Sequence, residues 1–188
     1  MFKRAKDEIY YDEVNKTYTK IINPRLNKKI KYFFKLRRYP GENVKYISEL
    51  FEKNGINTLK VIEFNKYKTV TKEIRGETLM GEIIKLKNDN EKNSLIEKYI
   101  EIIIKIINLG VYFGDFNFGN FIVHDKELYV IDLEDYRKDF FSKFRRKDMM
   151  KRLKKTLNNM EKILEWKKVK ISGKEIYLKI EEKLKNMI

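Results

Sequence analysis

The chain has 188 residues, no cysteine and a single histidine, and its 43 Lys and Arg against 28 Asp and Glu leave a net charge of +15. That length suits one domain of two small lobes, and the missing thiols exclude disulfides, thiolate metal sites and cysteine nucleophiles, in keeping with a reducing compartment. No run approaches the ~18 apolar residues of a membrane span, and the start Met-Phe-Lys-Arg-Ala-Lys-Asp lacks the apolar core of a signal peptide. The expectation is a cytoplasmic protein whose charge favours polyanions: nucleic acid, an anionic lipid surface or a phosphorylated glycolipid.

In chain order, Ile9 to Asp12 and Thr17 to Ile22 read as two β-rich runs around a Val14-Asn15-Lys16 turn, with Lys20 among apolar and β-branched neighbours in the second. Asn23-Pro24 ends that strand. Leu26 to Arg38 reads as a basic helix with Ile30, Phe33 and Phe34 on its apolar side, and Tyr39-Pro40-Gly41 as a turn. A helix from Glu42 to Lys53 stops at Asn54-Gly55, a good C-cap. Thr58 to Phe64 and Lys68 to Ile74 supply two more strands, so a four-stranded antiparallel sheet is expected. Residues Glu73, Ile74 and Arg75 then form an extended linker, and Gly76 permits a bend.

Leu79 to Leu86 is a short helix, and Ser94 to Leu109 a long one with Ser94 and Glu97 as a capping box and Tyr99, Ile100, Ile103, Ile106 and Ile107 on its buried side. It delivers the chain to residues 110 to 134, where Asp115 is followed five positions later by Asn120. Next come an apolar strand, a polar turn holding His124, a second apolar strand and Asp132. Phosphoryl transfer uses that order: one carboxylate faces the attacking hydroxyl, while an Asn and a second carboxylate hold Mg²⁺ against nucleotide phosphates. Asp115-Phe116-Asn117 imitates a metal-binding Asp-Phe-Gly triplet, but the helix before it offers no upstream Asp to act as catalyst. Asp115 is therefore the catalytic-loop residue. His124 reads as a turn residue.

With that assignment, Lys20 is the strand lysine that grips phosphates, and Glu42, Asn43 and Glu49 are the helix residues placed to face it, Glu42 being preferred. Main-chain groups of Glu73, Ile74 and Arg75 would meet the adenine, since an extended linker leaves N–H and C=O groups free to read a base edge. No G-x-G-x-x-G occurs anywhere in the chain, so another segment covers the phosphates or the lobe is reduced. Past Asp132, residues 143 to 188 hold sixteen basic and six acidic residues, a net of +10. Phe140, Phe141, Phe144, Met149, Met150, Leu153, Ile163, Leu164 and Trp166 give that tail apolar faces, and residues 169 to 174 break it before a terminal helix.

Gly114-Asp115-Phe116-Asn117-Phe118-Gly119-Asn120-Phe121-Ile122-Val123 followed by Val130-Ile131-Asp132-Leu133 resembles the corresponding run of bacterial lipopolysaccharide core heptose kinases, distant relatives of protein kinases. Lys31 to Lys35, Asn43 to Gly55 and Glu73 to Leu79 resemble that family's basic aromatic segment, following helix and inter-lobe linker, so the likeness covers roughly residues 8 to 150. Phe113 and Asn117 stand where relatives often have His. The resemblance implies an α+β, small bilobal protein-kinase-like fold, with residues 1–75 a reduced antiparallel-sheet lobe for nucleotide and residues 76–188 a helical catalytic lobe. It implies ATP and Mg²⁺ as cofactors, a heptose hydroxyl of the lipopolysaccharide core as acceptor, and work at the inner-membrane surface as a peripheral protein. Two other readings stay open: a kinase for protein or another small molecule, and a module without turnover that binds nucleic acid or acidic partners.

Overall fold

The computed structural model describes residues 7–138 and 143–186, so Phe140 and Phe141 lie outside the described residues. Strands β1 (Glu8–Asp12) and β2 (Thr17–Ile21) form a hairpin whose turn is capped by Asp12, which accepts from the main-chain N–H groups of Val14 and Asn15 at 2.9 and 3.0 Å. Lys16, at φ 51°, takes the left-handed position that glycine often fills in such loops. Strand β2 pairs with β4 (Lys68–Lys72), and β3 (Val61–Phe64) closes the sheet in the order β1-β2-β4-β3, all antiparallel.

The first helix, α1, spans only Leu26–Phe33 rather than running to Arg38. Lys35 takes a left-handed conformation (φ 54°) and Leu36 N–H donates to Lys31 O, a Schellman-type ending that cuts the helix short. The side chain this helix buries is Tyr32, while Ile30, Phe33 and Phe34, expected on the apolar side, are exposed. Helix α2 (Pro40–Lys53) begins two residues earlier than the sequence suggests because Pro40 sits at its first position, where the missing N–H costs nothing. It buries Val44, Ile47 and Phe51 against the sheet and the large lobe.

Beyond Gly76 a second sheet forms from β5 (Glu77–Thr78), β6 (Phe121–His124) and β7 (Glu127–Val130), in that order. Gly76 is required there: a Cβ would stand 2.0 Å from the Val123 carbonyl oxygen. Helix α3 (Leu79–Lys85) is capped by the Thr78 hydroxyl. The long helix α4 (Asp89–Asn108) starts five residues before the expected Ser94, because the Asn88 side chain caps it by accepting from Asn90 N–H. Its buried side chains, Tyr99, Ile100, Ile103 and Ile107 among them, are the centre of the core, each contributing about 1.5–3 kcal/mol by burial. Helix α6 (Gly173–Lys185) packs on it and α5 (Arg146–Trp166) packs on α6, with Leu153, Leu157, Ile176 and Ile180 buried in the shared core. In α5 only Leu164 of the trio Ile163, Leu164 and Trp166 is buried; Trp166 is exposed.

Thr58 and Asn43 each tie the first half to the second. Thr58, expected in a strand of the first sheet, instead bridges to Val130, its hydroxyl donating to Val130 O at 2.7 Å. Asn43 of α2 donates its amide to the carbonyl oxygens of Leu133, Glu134 and Tyr136 at 3.3, 3.3 and 2.8 Å. Buried amide bonds of this kind fix a loop as well as a helix, since an unpaired carbonyl would cost about 1–3 kcal/mol.

Candidate active site

The loop carrying Asp115 is set by aromatic residues on either side of it. Phe113, Phe116, Phe118 and Phe121 are buried, and Tyr99 of α4 donates its hydroxyl to Phe116 O at 2.8 Å. Asp115, between two buried rings, is thereby left exposed, its Oδ1 accepting from Asn117 N–H at 3.2 Å. Asn117 in turn caps a short 3-10 turn, Phe118–Asn120, by accepting from Gly119 N–H at 2.9 Å.

Asn120 joins the loop to the strand end. Its main-chain oxygen accepts from Ile131 N–H at 3.0 Å, and its side-chain amide donates to Asp115 O at 3.4 Å. The amide nitrogen is thus committed to the loop, and the remaining side-chain oxygen is the atom left to coordinate. Asp132 follows Ile131 in the left-handed region (φ 62°, ψ 49°), where Asp is among the few non-glycine residues that occur with any frequency. That twist turns the chain out of β7 and into the 3-10 turn Leu133–Asp135.

Lys20 reaches across from β2 to this turn. Its Nζ lies 2.5 Å from Asp132 Oδ1 and is also paired with Glu134. Glu42 makes no ion pair with Lys20; the helix residue that faces this region is Asn43, and it holds the turn's backbone rather than the lysine. A second carboxylate partner thus comes from Glu134, two residues after Asp132, a position that the sequence pattern does not single out. An alternating Asp-Leu-Glu was the only local signal.

Burial works against the charge on Lys20, but Glu134 and Asp132 outweigh it and raise its pKa. Burial likewise opposes ionisation of Asp132, and Lys20 overrides it, holding the carboxyl below its ordinary value. Glu134 is pushed up to about 7, first by burial and then by the Asp132 carboxylate, against the pull of Lys20. Between its unfolded value near 4.5 and about 7, Glu134 keeps its proton in the folded chain and loses it in the unfolded one. This group's contribution to stability is therefore full below about 4.5 and is lost as pH rises through about 7. Glu134→Gln is expected to flatten that decline, as read by melting temperature at several pH values across the window; an unchanged slope would refute the assignment.

Between the lobes lies a cavity of about 350 Å³. Ile9, Tyr18 and Lys20 line it from the first sheet, Ile74 and Gly76 from the linker, and Ile122, Ile131, Asp132 and Glu134 from the second half. Of the linker residues expected to meet a base, only Ile74 lines the cavity. Glu73 N–H is already bonded to Lys16 O and its carboxylate accepts from the Tyr11 hydroxyl and Arg75, so its N–H is not free to read a base edge. The β1–β2 turn stands at this linker end of the sheet, away from Lys20, and no glycine-rich loop covers the Lys20 end among the described residues. Asn120 and Asp132 are hard oxygen donors with one carboxylate between them, a set that suits Mg²⁺ carried largely by phosphates and water.

No known family model matches the chain, and no curated protein matches it. Among solved structures it is similar to the Rio2 kinase–ADP/Mg²⁺-phosphoaspartate complex from Chaetomium thermophilum, with a TM-score of 0.57 and 14% identity over 94% of this chain. The chain spans 58% of the length of that kinase. Aminoglycoside phosphotransferase APH(2'')-Ib in its ADP-bound form is also similar, with a TM-score of 0.43 and 13% identity over 96% of this chain and 79% of that one. The fold is α+β and protein-kinase-like.

Proposed function

We propose that this chain is an ATP-dependent phosphotransferase, with residues 1–75 as nucleotide lobe and residues 76–188 as catalytic lobe. The observation that carries the reading is the Lys20–Asp132 pair at 2.5 Å, made across the cleft and beside the loop of Asp115 and Asn120. In this reading the nucleotide base lies in the cleft against Ile9, Tyr18 and Ile74, and Lys20 turns from Asp132 toward the phosphates. Asn120 and Asp132 would hold Mg²⁺, which when bound neutralises charge on the phosphates. Asp115 orients the acceptor hydroxyl and takes its proton. Placement and charge neutralisation do most of the work, as is usual for this chemistry.

The acceptor in this proposal is a heptose hydroxyl of the lipopolysaccharide core, supported by the likeness of the 114–123 and 130–133 runs to those of heptose kinases. Incubation with labelled ATP, Mg²⁺ and core glycolipid tests it; label passing to protein or another small molecule instead would replace the acceptor while keeping the phosphotransferase. An anionic membrane surface is the matching partner, since α5 is strongly basic, Phe144 before it is 76% exposed, and no described helix is long and apolar enough to cross a membrane. Binding to anionic vesicles that weakens with salt is expected; equal binding to neutral vesicles would exclude it.

Lys20→Met is expected to lower turnover by about 10²-fold, the usual cost of losing one charge that stabilises the transition state. Folding should survive, because Glu134, already titrating about 7, can take a proton when its ammonium partner is gone. Steady-state kinetics beside a melting curve check both halves, and unaltered kinetics would leave Lys20 a mere ion-pair partner. The absence of a glycine-rich loop among the described residues and the +15 charge favour one competing reading, a module without turnover on nucleic acid or acidic partners. Nucleic-acid retention with no phosphate transfer to any acceptor would select it.

A further inference from the structure

A second cavity, of about 510 Å³, shares no lining residue with the inter-lobe cleft. Lys28, Arg37, Arg137, Arg145 and Arg152 line it together with Asp115. These cations come from α1, the segment after it, the stretch following the Leu133–Asp135 turn, and the start of α5.

Two of these cations are paired with acids of the cavity wall, and a third has no ion pair among the described residues. Lys28 pairs with Asp135 at 2.7 Å and Arg152 with Asp148 at 3.1 Å, while Arg37 makes no ion pair among the described residues. The Arg137 pKa is lowered, by burial first and then by the positive charge of Arg37, with Arg145 adding to it. Crowding of guanidinium groups is thus felt within the site itself. The Tyr112 ring holds two of them in place, with Arg137 and Arg145 centred 5.8 and 5.5 Å from it, and its hydroxyl donates to Asp148 at 3.1 Å. Arg152 reaches toward the loop of Asp115, its Nη1 standing 3.4 Å from where a Cβ on Gly114 would be. Arg37 and Arg137 also line a neighbouring cavity with Arg38 and Lys35, so the basic surface continues outward.

Like charges gathered in a cavity destabilise the free protein and are favourable once an anion enters, and planar guanidinium groups match phosphate in particular. We propose that this cavity is the acceptor subsite and that it takes a hydroxyl compound already carrying a phosphate group. The inference rests on the phosphotransferase reading for the role of Asp115, and adds to it the class of acceptor. In the step, the acceptor oxygen bonds to the γ-phosphorus and the bond from that phosphorus to the β-phosphate oxygen breaks. ADP leaves with the electron pair, and the hydroxyl proton passes to Asp115. The arginines contact the acceptor's own phosphate and take no part in bond making.

Arginine modification by phenylglyoxal, read residue by residue by mass spectrometry on the whole chain with Mg²⁺–ADP in every sample, tests this. Glycerol 3-phosphate is expected to slow modification of Arg37 and Arg152 several-fold, to leave the exposed linker residue Arg75 unchanged, and to act where plain glycerol does not. The variant Arg37→Gln, which abandons no acid, should weaken the protection of Arg152. Protection by phosphatidylglycerol vesicles but not by glycerol 3-phosphate would support the subsite and assign the phosphate to a lipid headgroup. No protection by either, or equal protection by glycerol, overturns the inference even where ADP binds. Failure of ADP to bind in a parallel titration overturns the phosphotransferase reading and the acceptor role with it.

Discussion

Asp115→Asn is expected to reduce turnover by about 10²–10⁴-fold, the range lost when a positioned general base is removed, while nucleotide affinity and melting temperature stay close to those of the parent chain. The structural reason for the second half is that Asp115 contributes little to the fold. It is exposed, and its side chain accepts a bond from Asn117 N–H at 3.2 Å that an Asn oxygen can also accept. The loop's shape is held instead by Phe113, Phe116, Phe118 and Phe121 beneath it and by the Tyr99 hydroxyl on Phe116 O. The chemical reason for the first half is charge, because an amide of the same outline neither takes the hydroxyl proton nor aligns the oxygen as a carboxylate does. Steady-state kinetics with a nucleotide-binding titration separate the two effects. A variant turning over at near the parent rate would remove Asp115 from the mechanism, and a drop confined to the KM for ATP would move it into nucleotide binding.

The parts of this fold that were legible in the sequence are those written in local periodicity. The β1–β2 hairpin, α2, α4, the two strands after Asn120 and the break before α6 all follow from apolar spacing and turn residues. What was missed depended on conformation or on distant chain. Lys35 in a left-handed conformation ends α1 where no Gly or Asn signals a stop, and this leaves Phe33 and Phe34 in solvent. Asn88 rather than Ser94 caps α4, both being capable residues, and a choice between them needs the preceding loop's path. The sequence points to Glu42 on α2 as the partner of Lys20, yet the backbone twist at Asp132 brings Glu134 under the same ammonium. Arg37, Arg137, Arg145 and Arg152 are ordinary members of a basic sequence until the fold gathers them around Asp115. Charge counts showed an excess of cations and could not show where it collects.

Asp132→Ala is expected to abolish Mg²⁺-dependent nucleotide binding, and its effect should exceed the roughly 10–100-fold lost when a residue merely supporting a metal ligand is removed. Among the proposed metal-holding residues Asp132 is the only carboxylate; Asn120 supplies a neutral oxygen and cannot replace the charge. Glu134 is no substitute, since it is largely buried, titrates about 7 and is engaged with Lys20. Once Asp132 is gone, its repulsion of Glu134 disappears and Lys20 has a single carboxylate to pair with, so the Glu134 pKa should fall from about 7 toward the ordinary range. The lysine then stays occupied at neutral pH, a second obstacle to phosphate binding. Alanine also tolerates the left-handed backbone of Asp132 poorly, at a cost of about 1–2 kcal/mol, so Asp132→Asn is the companion variant. It keeps the shape and accepts that conformation, and it should fold as the parent does while still losing the metal dependence. The measurement is nucleotide affinity titrated against Mg²⁺ for the three proteins. A parent-like response to Mg²⁺ in Asp132→Asn would take the metal away from this residue and leave the Lys20–Asp132 pair a structural tie between the lobes.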